Sequence, residues 1–332
     1  MFFGKKSSKR KILVLWYPYK ENLGDYYLFK TVCLKAKEWG FCPIGMDVGS
    51  PYQKIVNTLK KCDFLWFAGG GIIERGIPNI IENFQQFYLE AKHIQYGVTG
   101  ISVGEFDYRN KSKELSEWVN NALFFYARDE YSANLLNSIA SNNRVCNSAD
   151  VVFASEYLSN YVPKNITHCV GINFRKMPYP DLTGELDFNL WINSIKENYT
   201  ETIIAIPDED DLLKKGDFFF EHYTPQNAVT AISQMDYGIA MRYHVVLIAA
   251  LMGKICIPID YCPKVSRLAK QLGIDDLIIH FNEPGELKRI KERYIQNEDH
   301  YKKILKTNVD ILKDKTQNMF ANVERLLKEK LL

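Results

Sequence analysis

Short apolar runs alternate with stretches of helical period along most of this chain. Lys11–Trp16 (KILVLW) reads as a first strand and Asp25–Trp39 as the helix behind it. Phe64–Phe67 (FLWF) is a further strand ending at Gly69-Gly70-Gly71, and Ile94–Val103 holds one or two more. Phe124–Ala127 leads into a helix over Glu130–Ile139, and Val151-Val152-Phe153 closes the series. A second series follows, with strands at Cys169–Phe174, Thr202–Ile206, Tyr237–Met241 and Ile255–Ile259. His244–Met252 and Val265–Leu272 fit between these as helices. Strands alternating with helices are the signature of βαβ units and parallel sheets. The pattern therefore predicts an α/β fold of two Rossmann-like domains, 1–160 and 161–332, joined near 155–167. From Glu283 the pattern is helical and strongly charged, which suits a terminal helix crossing back to the first domain.

Composition narrows the class. With 332 residues, 46% of them hydrophobic, the chain can bury two cores. Lys and Arg number 42 against 40 Asp and Glu, a balance that argues against a nucleic-acid binder. Positive charge is concentrated locally, at Lys5, Lys6, Lys9, Arg10 and Lys11. That cluster is either a solvated tail or a weak contact with an anionic membrane surface. The seven cysteines are scattered, with no C-x-x-C pair, so neither a disulfide framework nor a zinc site is expected. No signal-peptide pattern and no membrane-length apolar run is seen, which leads us to expect a soluble, cytoplasmic protein.

In open α/β sheets ligands bind beyond the carboxyl ends of the strands, and the chemically informative segments fall there. Asn22-Leu23-Gly24-Asp25 lies between the first strand and its helix. Asn22 reads either as a helix cap or as a contact to a substrate hydroxyl, and Asp25 as a candidate base. Gly69-Gly70-Gly71 reads as a backbone nest for an anion or as a point of close approach. Gly100–Glu105 is a second glycine-flanked strand end, with Glu105 as a candidate acid or base. Arg128-Asp129-Glu130-Tyr131-Ser132 combines capping groups with an arginine that either faces the cleft or pairs with a carboxylate. The most specific segment is Met241-Arg242-Tyr243-His244, followed by the apolar run Val245–Met252. A buried helix start aimed at a cleft favours anions. Arg242 adds a planar fork of donors, and His244 can move a proton near neutral pH. Arg175 and Lys264 are further cations at strand ends, whereas the acidic run Asp208–Asp211 has no metal-ligand spacing.

Taken in order, these segments resemble the polysaccharide pyruvyltransferase family. The resemblance rests on N-L-G-D at Asn22–Asp25, G-G-G at Gly69–Gly71 and R-D-x-x-S at Arg128–Ser132. It continues through A-D-x-x-F at Ala149–Phe153, G-I-N-F-R at Gly171–Arg175, M-R-Y-H at Met241–His244 and Y-x-x-K at Tyr261–Lys264. Tyr243 departs from the family pattern, where leucine is common. The resemblance implies a GT-B-like fold, phosphoenolpyruvate as donor, and a sugar diol on a polysaccharide or lipid-linked glycan as acceptor. The product would be a pyruvate ketal, made with no cofactor and no metal. His244, Asp25 and Glu105 would then be catalytic. Arg242, Arg128, Arg175, Lys264, Asn22, Gly69, Gly70 and Gly71 would bind substrate, with the acceptor on the side of the first domain and phosphoenolpyruvate on that of the second. Two other readings share the segments: a GT-B glycosyltransferase using a nucleotide sugar, and a non-catalytic component of a glycan-assembly complex.

Overall fold

Strands that are apolar on both faces need cover on both faces, and a parallel sheet flanked by helices supplies it. Such sheets occur twice in the computed structural model, which describes residues 9–16, 22–73, 94–104, 112–140, 144–161, 169–174, 188–198, 200–207 and 223–332. One unit comprises Met1–Tyr19, Tyr27–Ala154 and Lys313–Leu332, and the other Lys20–Tyr26 and Ser155–Leu312.

In the first unit β1 (Lys11–Trp16) buries Ile12, Leu13, Val14 and Leu15. It is followed by α1 (Leu23–Glu38), β2 (Cys42–Asp47), α2 (Tyr52–Leu59), β3 (Phe64–Phe67), β4 (Gly70–Ile73) and β5 (Gln95–Val103). Then come α3 (Ser112–Asn121), β6 (Phe125–Ala127), α4 (Glu130–Ile139), β7 (Val145–Asn147) and a 3-10 turn at Val151–Ala154. The sheet runs β2-β1-β3-β5-β6-β7, with β4 also paired to β5 and every pair parallel. Helices cover it with spaced apolar residues: Ile55, Val56 and Leu59 from α2, and Leu115, Trp118 and Val119 from α3. The chain steps from β1 to β2 on one side and returns to β3 on the other, so strand order reverses between β1 and β3.

The triple glycine is not a loop beyond a finished strand. β3 pairs with the first half of β5 and β4 with its second half, so the strand breaks at Ala68-Gly69 and then resumes. Gly69 and Gly70 have φ of +106° and +91°, and Gly100 opposite them has +62°. A β-carbon on Gly69 would lie 2.2 Å from the Thr99 carbonyl oxygen. Two neighbouring strands thus kink together, and both glycine motifs serve that kink.

Besides the first turn of α1, the second unit contains the short helix α5 (Glu156–Ser159), β8 (Cys169–Asn173), α6 (Phe188–Asn198), β9 (Thr202–Ala205) and α7 (Pro225–Gln234). β10 (Tyr237–Ala240), α8 (Tyr243–Leu251), β11 (Cys256–Asp260), α9 (Pro263–Leu272) and β12 (Ile279–His280) follow, then α10 (Leu287–Gln296) and α11 (Glu298–Leu331). Its sheet runs β12-β11-β10-β8-β9, also parallel, and strand order reverses between β8 and β10. The end of α11 belongs to the first unit, where the Phe320 ring meets those of Trp39 and Trp66 and Asn322 donates to the Tyr126 hydroxyl. That is the crossing helix expected from the charged C-terminal pattern. Among the described residues, no helix is long and apolar enough to cross a membrane.

Candidate functional site

Where strand order reverses, the loops after the two central strands diverge and leave a crevice at the carboxyl edge of the sheet. In the second unit those strands are β8 and β10, and Asn173 joins their ends. Its backbone carbonyl accepts from Met241 N (3.0 Å) and its Oδ1 from Arg242 N (3.2 Å). Its Nδ2 donates to the Ile206 carbonyl (3.3 Å). Fully buried, Asn173 ties together the ends of β8, β9 and β10 and the start of α8. Only its place at the end of an apolar strand marks it in the sequence, within G-I-N-F-R.

Arg242 is the residue at which α8 begins, with φ −73° and ψ 124° and no side-chain cap bond. Every residue from Val245 to Leu251 is buried, so this helix end is shielded from bulk solvent on its apolar sides. The N-terminus of a helix carries about half a positive charge, and shielding strengthens its pull on an anion. The Arg242 side chain, 8% exposed, adds a fixed full charge at the same point. Lys264 lies in the first turn of α9, half-buried, just beyond β11, the strand beside β10. Two helix starts and two cations thus lie along one carboxyl edge.

His244 is the second residue of α8 and is half-buried. The Tyr243 ring stands nearly perpendicular to it, with centroids 4.8 Å apart and planes at 81°. Gly24, in the first turn of α1, also meets the imidazole: a β-carbon there would lie 1.7 Å from Nδ1. Asn22 holds that turn, its Oδ1 accepting from Gly24 N (3.0 Å) and Asp25 N (3.3 Å). Asn22 is therefore a helix cap. Asn22→Ala is expected to lower stability by about 1 kcal/mol and Asn22→Asp to retain most of it, as denaturant midpoints would report. Asp25 follows, half-buried in the same first turn, where a carboxylate also favours the helix dipole.

The candidates described in the first unit make contacts within their own sheet and helices. Arg128 is 2% exposed and pairs with the fully buried Asp150 at 3.0 Å. It also donates to Ser102 Oγ at 2.6 Å. Of the two sequence readings of Arg128, these contacts are those of the ion pair with a carboxylate. Asp129 caps α4 by accepting from Ser132 N, and Ser132 Oγ accepts from Val103 N. Gly69 and Gly70 form the strand kink, and Gly71 lies within β4. Glu105 and Arg175 lie outside the described residues.

A sequence model of the family described as polysaccharide pyruvyl transferase matches residues 3–263. No curated protein matches the sequence. Among solved structures, a Listeria monocytogenes protein described as a UDP-N-acetylglucosamine 2-epimerase aligns over 97% of this chain and 98% of its own, at 10% identity and TM-score 0.65. The UDP-GlcNAc 2-epimerase of Neisseria meningitidis, bound to UDP-GlcNAc, aligns over 96% and 100%, at 12% identity and TM-score 0.60. An alpha-glucosyltransferase in complex with UDP and DNA aligns over 97% and 100%, at 12% identity and TM-score 0.53. At such identities the likeness is one of fold, the GT-B arrangement of two Rossmann-like domains.

Proposed function

The chain belongs to the polysaccharide pyruvyl transferase family, and from that premise we propose that it moves the enolpyruvyl group of phosphoenolpyruvate onto a sugar diol. The acceptor is a surface polysaccharide or its lipid-linked precursor, and the product is a pyruvate ketal. The observation that carries this reading is the pairing of Arg242 with His244 at the start of a buried helix, on the edge where strand order reverses.

Phosphoenolpyruvate carries a phosphate and a carboxylate, so it needs cationic partners. Arg242 and the start of α8 hold one anionic end, and Lys264 and Arg175 supply further positive charge. His244 donates a proton to the methylene carbon, the carbon–carbon double bond becomes a methyl group, and positive charge develops at C2. A sugar hydroxyl adds to C2 and its proton passes to Asp25 or Glu105. The bond from C2 to the phosphate oxygen then breaks, phosphate leaves, and a second hydroxyl closes the ketal with loss of its own proton. Donor plus diol thus yields ketal plus inorganic phosphate, with no change of redox state. An acceptor made on a lipid carrier places the work at the cytoplasmic face of a membrane, which the basic N-terminal segment suits.

Purified protein, phosphoenolpyruvate and a panel of galactosides and mannosides are expected to release phosphate. A sugar product heavier by one pyruvate less one water should appear in equal amount, as mass spectrometry would show. If neither signal appears across the panel, the reading fails. Thermal stabilisation by a nucleoside diphosphate but not by phosphoenolpyruvate would instead favour a nucleotide-sugar glycosyltransferase.

A further inference from the structure

We propose that Gly24 and Tyr243 are positioning residues that together hold the His244 imidazole in one orientation at the start of α8. The inference deepens the reading above, and its kinetic arm rests on that reading.

Glycine inside a helix is disfavoured relative to alanine and is usually retained for a backbone or spatial reason. Gly24 has no backbone reason. It lies in the first turn of α1 and is absent from the glycines with positive φ, which among the described residues are Gly40, Gly69, Gly70, Gly100, Gly253 and Gly273. The spatial reason is specific. A β-carbon on Gly24 would lie 1.7 Å from Nδ1, 2.0 Å from Cγ and 2.1 Å from Cε1 of His244, which is on the ring itself. The imidazole occupies the room that the missing side chain leaves. Asn22 keeps that room in place by capping the same turn.

Tyr243 acts on the ring from its own helix. It is 5% exposed, and its ring lies nearly perpendicular to the imidazole at 4.8 Å, a favourable edge-to-face geometry. A histidine that delivers a proton to one carbon atom must keep one ring nitrogen aimed at it. A displacement of about 1 Å in such a group can lower turnover by about a hundredfold. The N-L-G-D segment thus acquires a division of labour: Asn22 caps, Leu23 is buried, and Gly24 admits the imidazole.

The test compares Gly24→Ala, Tyr243→Leu and Tyr243→Phe in the full chain, reading the imidazole by NMR with labelled histidine. The chain has six histidines, and loss of one signal in His244→Gln identifies the His244 ring. Gly24→Ala and Tyr243→Leu are expected to shift or double the His244 ring signals, and Tyr243→Phe to restore the wild-type position. Gly24→Ala is expected to lower kcat about a hundredfold with KM for phosphoenolpyruvate within about threefold. Wild-type ring signals in both Gly24→Ala and Tyr243→Leu would overturn the proposal, as would an unchanged kcat in a folded Gly24→Ala. Should Gly24→Ala fail to fold, the two Tyr243 variants decide through the same signals. Should the wild-type protein turn over no donor, the pyruvyl-transfer reading falls, and the ring signals still decide whether the two residues position His244.

Discussion

His244→Ala is expected to lower pyruvyl transfer by about a hundredfold to ten-thousandfold, the usual range for loss of a positioned acid or base. The imidazole is half-buried at the first turn of α8, so its removal does not open the apolar core behind Val245. The denaturation midpoint should therefore move little, by no more than about 1 kcal/mol in stability. Phosphate release under saturating donor, measured beside a denaturant titration, separates the two effects. A folded variant that keeps more than a tenth of wild-type kcat would remove His244 from the chemistry. A fall in kcat with little change in KM would mean that the lost interaction is made mainly in the transition state, as expected of a proton donor.

Asp150→Ala is expected to produce the largest loss of stability of any single change considered. Arg128 and Asp150 are 2% and 0% exposed at the side chain. Removing the carboxylate takes a charge partner from a guanidinium held in the interior, at a cost of about 3–5 kcal/mol. A buried ion pair need not exceed an apolar pair in net worth, so the double variant Arg128→Met with Asp150→Leu should recover much of that loss. Denaturant midpoints across both single variants and the double variant test this directly. Additive losses would mean that the two charges do not depend on each other.

How much was legible depends on the distance over which the physics acts. Strands β1, β3 and β8 are continuous apolar runs buried on both faces, and such a run declares itself in a single window of sequence. β2 does not, because Pro43, Gly45 and Asp47 interrupt it. Its place comes from pairing along the whole of β1 rather than from its own pattern. The Arg128 segment looked like a ligand site because a cation at a strand end is common to both roles. Its described partner, Asp150, is brought alongside by the pairing of β6 with β7, which no local window shows. The triple glycine has the same ambiguity. Positive φ serves an anion nest and a strand kink alike, and the Thr99 carbonyl settles the local geometry. The place of Arg242 and His244 at a helix start is legible, because a buried helix directly after a strand is a local pattern. Their contacts with Asn173 and Gly24 are not, since both are tertiary.

The second unit is not one continuous piece of chain: it takes in Lys20–Tyr26 together with Ser155–Leu312. During synthesis the turn that carries Gly24 therefore leaves the ribosome long before the helix that carries His244. At ordinary elongation rates the delay is on the order of ten seconds or more. Throughout that interval Gly24 has no imidazole to receive, and a chain that ends before His244 holds only half of the contact. Only translation products that extend past His244 carry both partners of this contact.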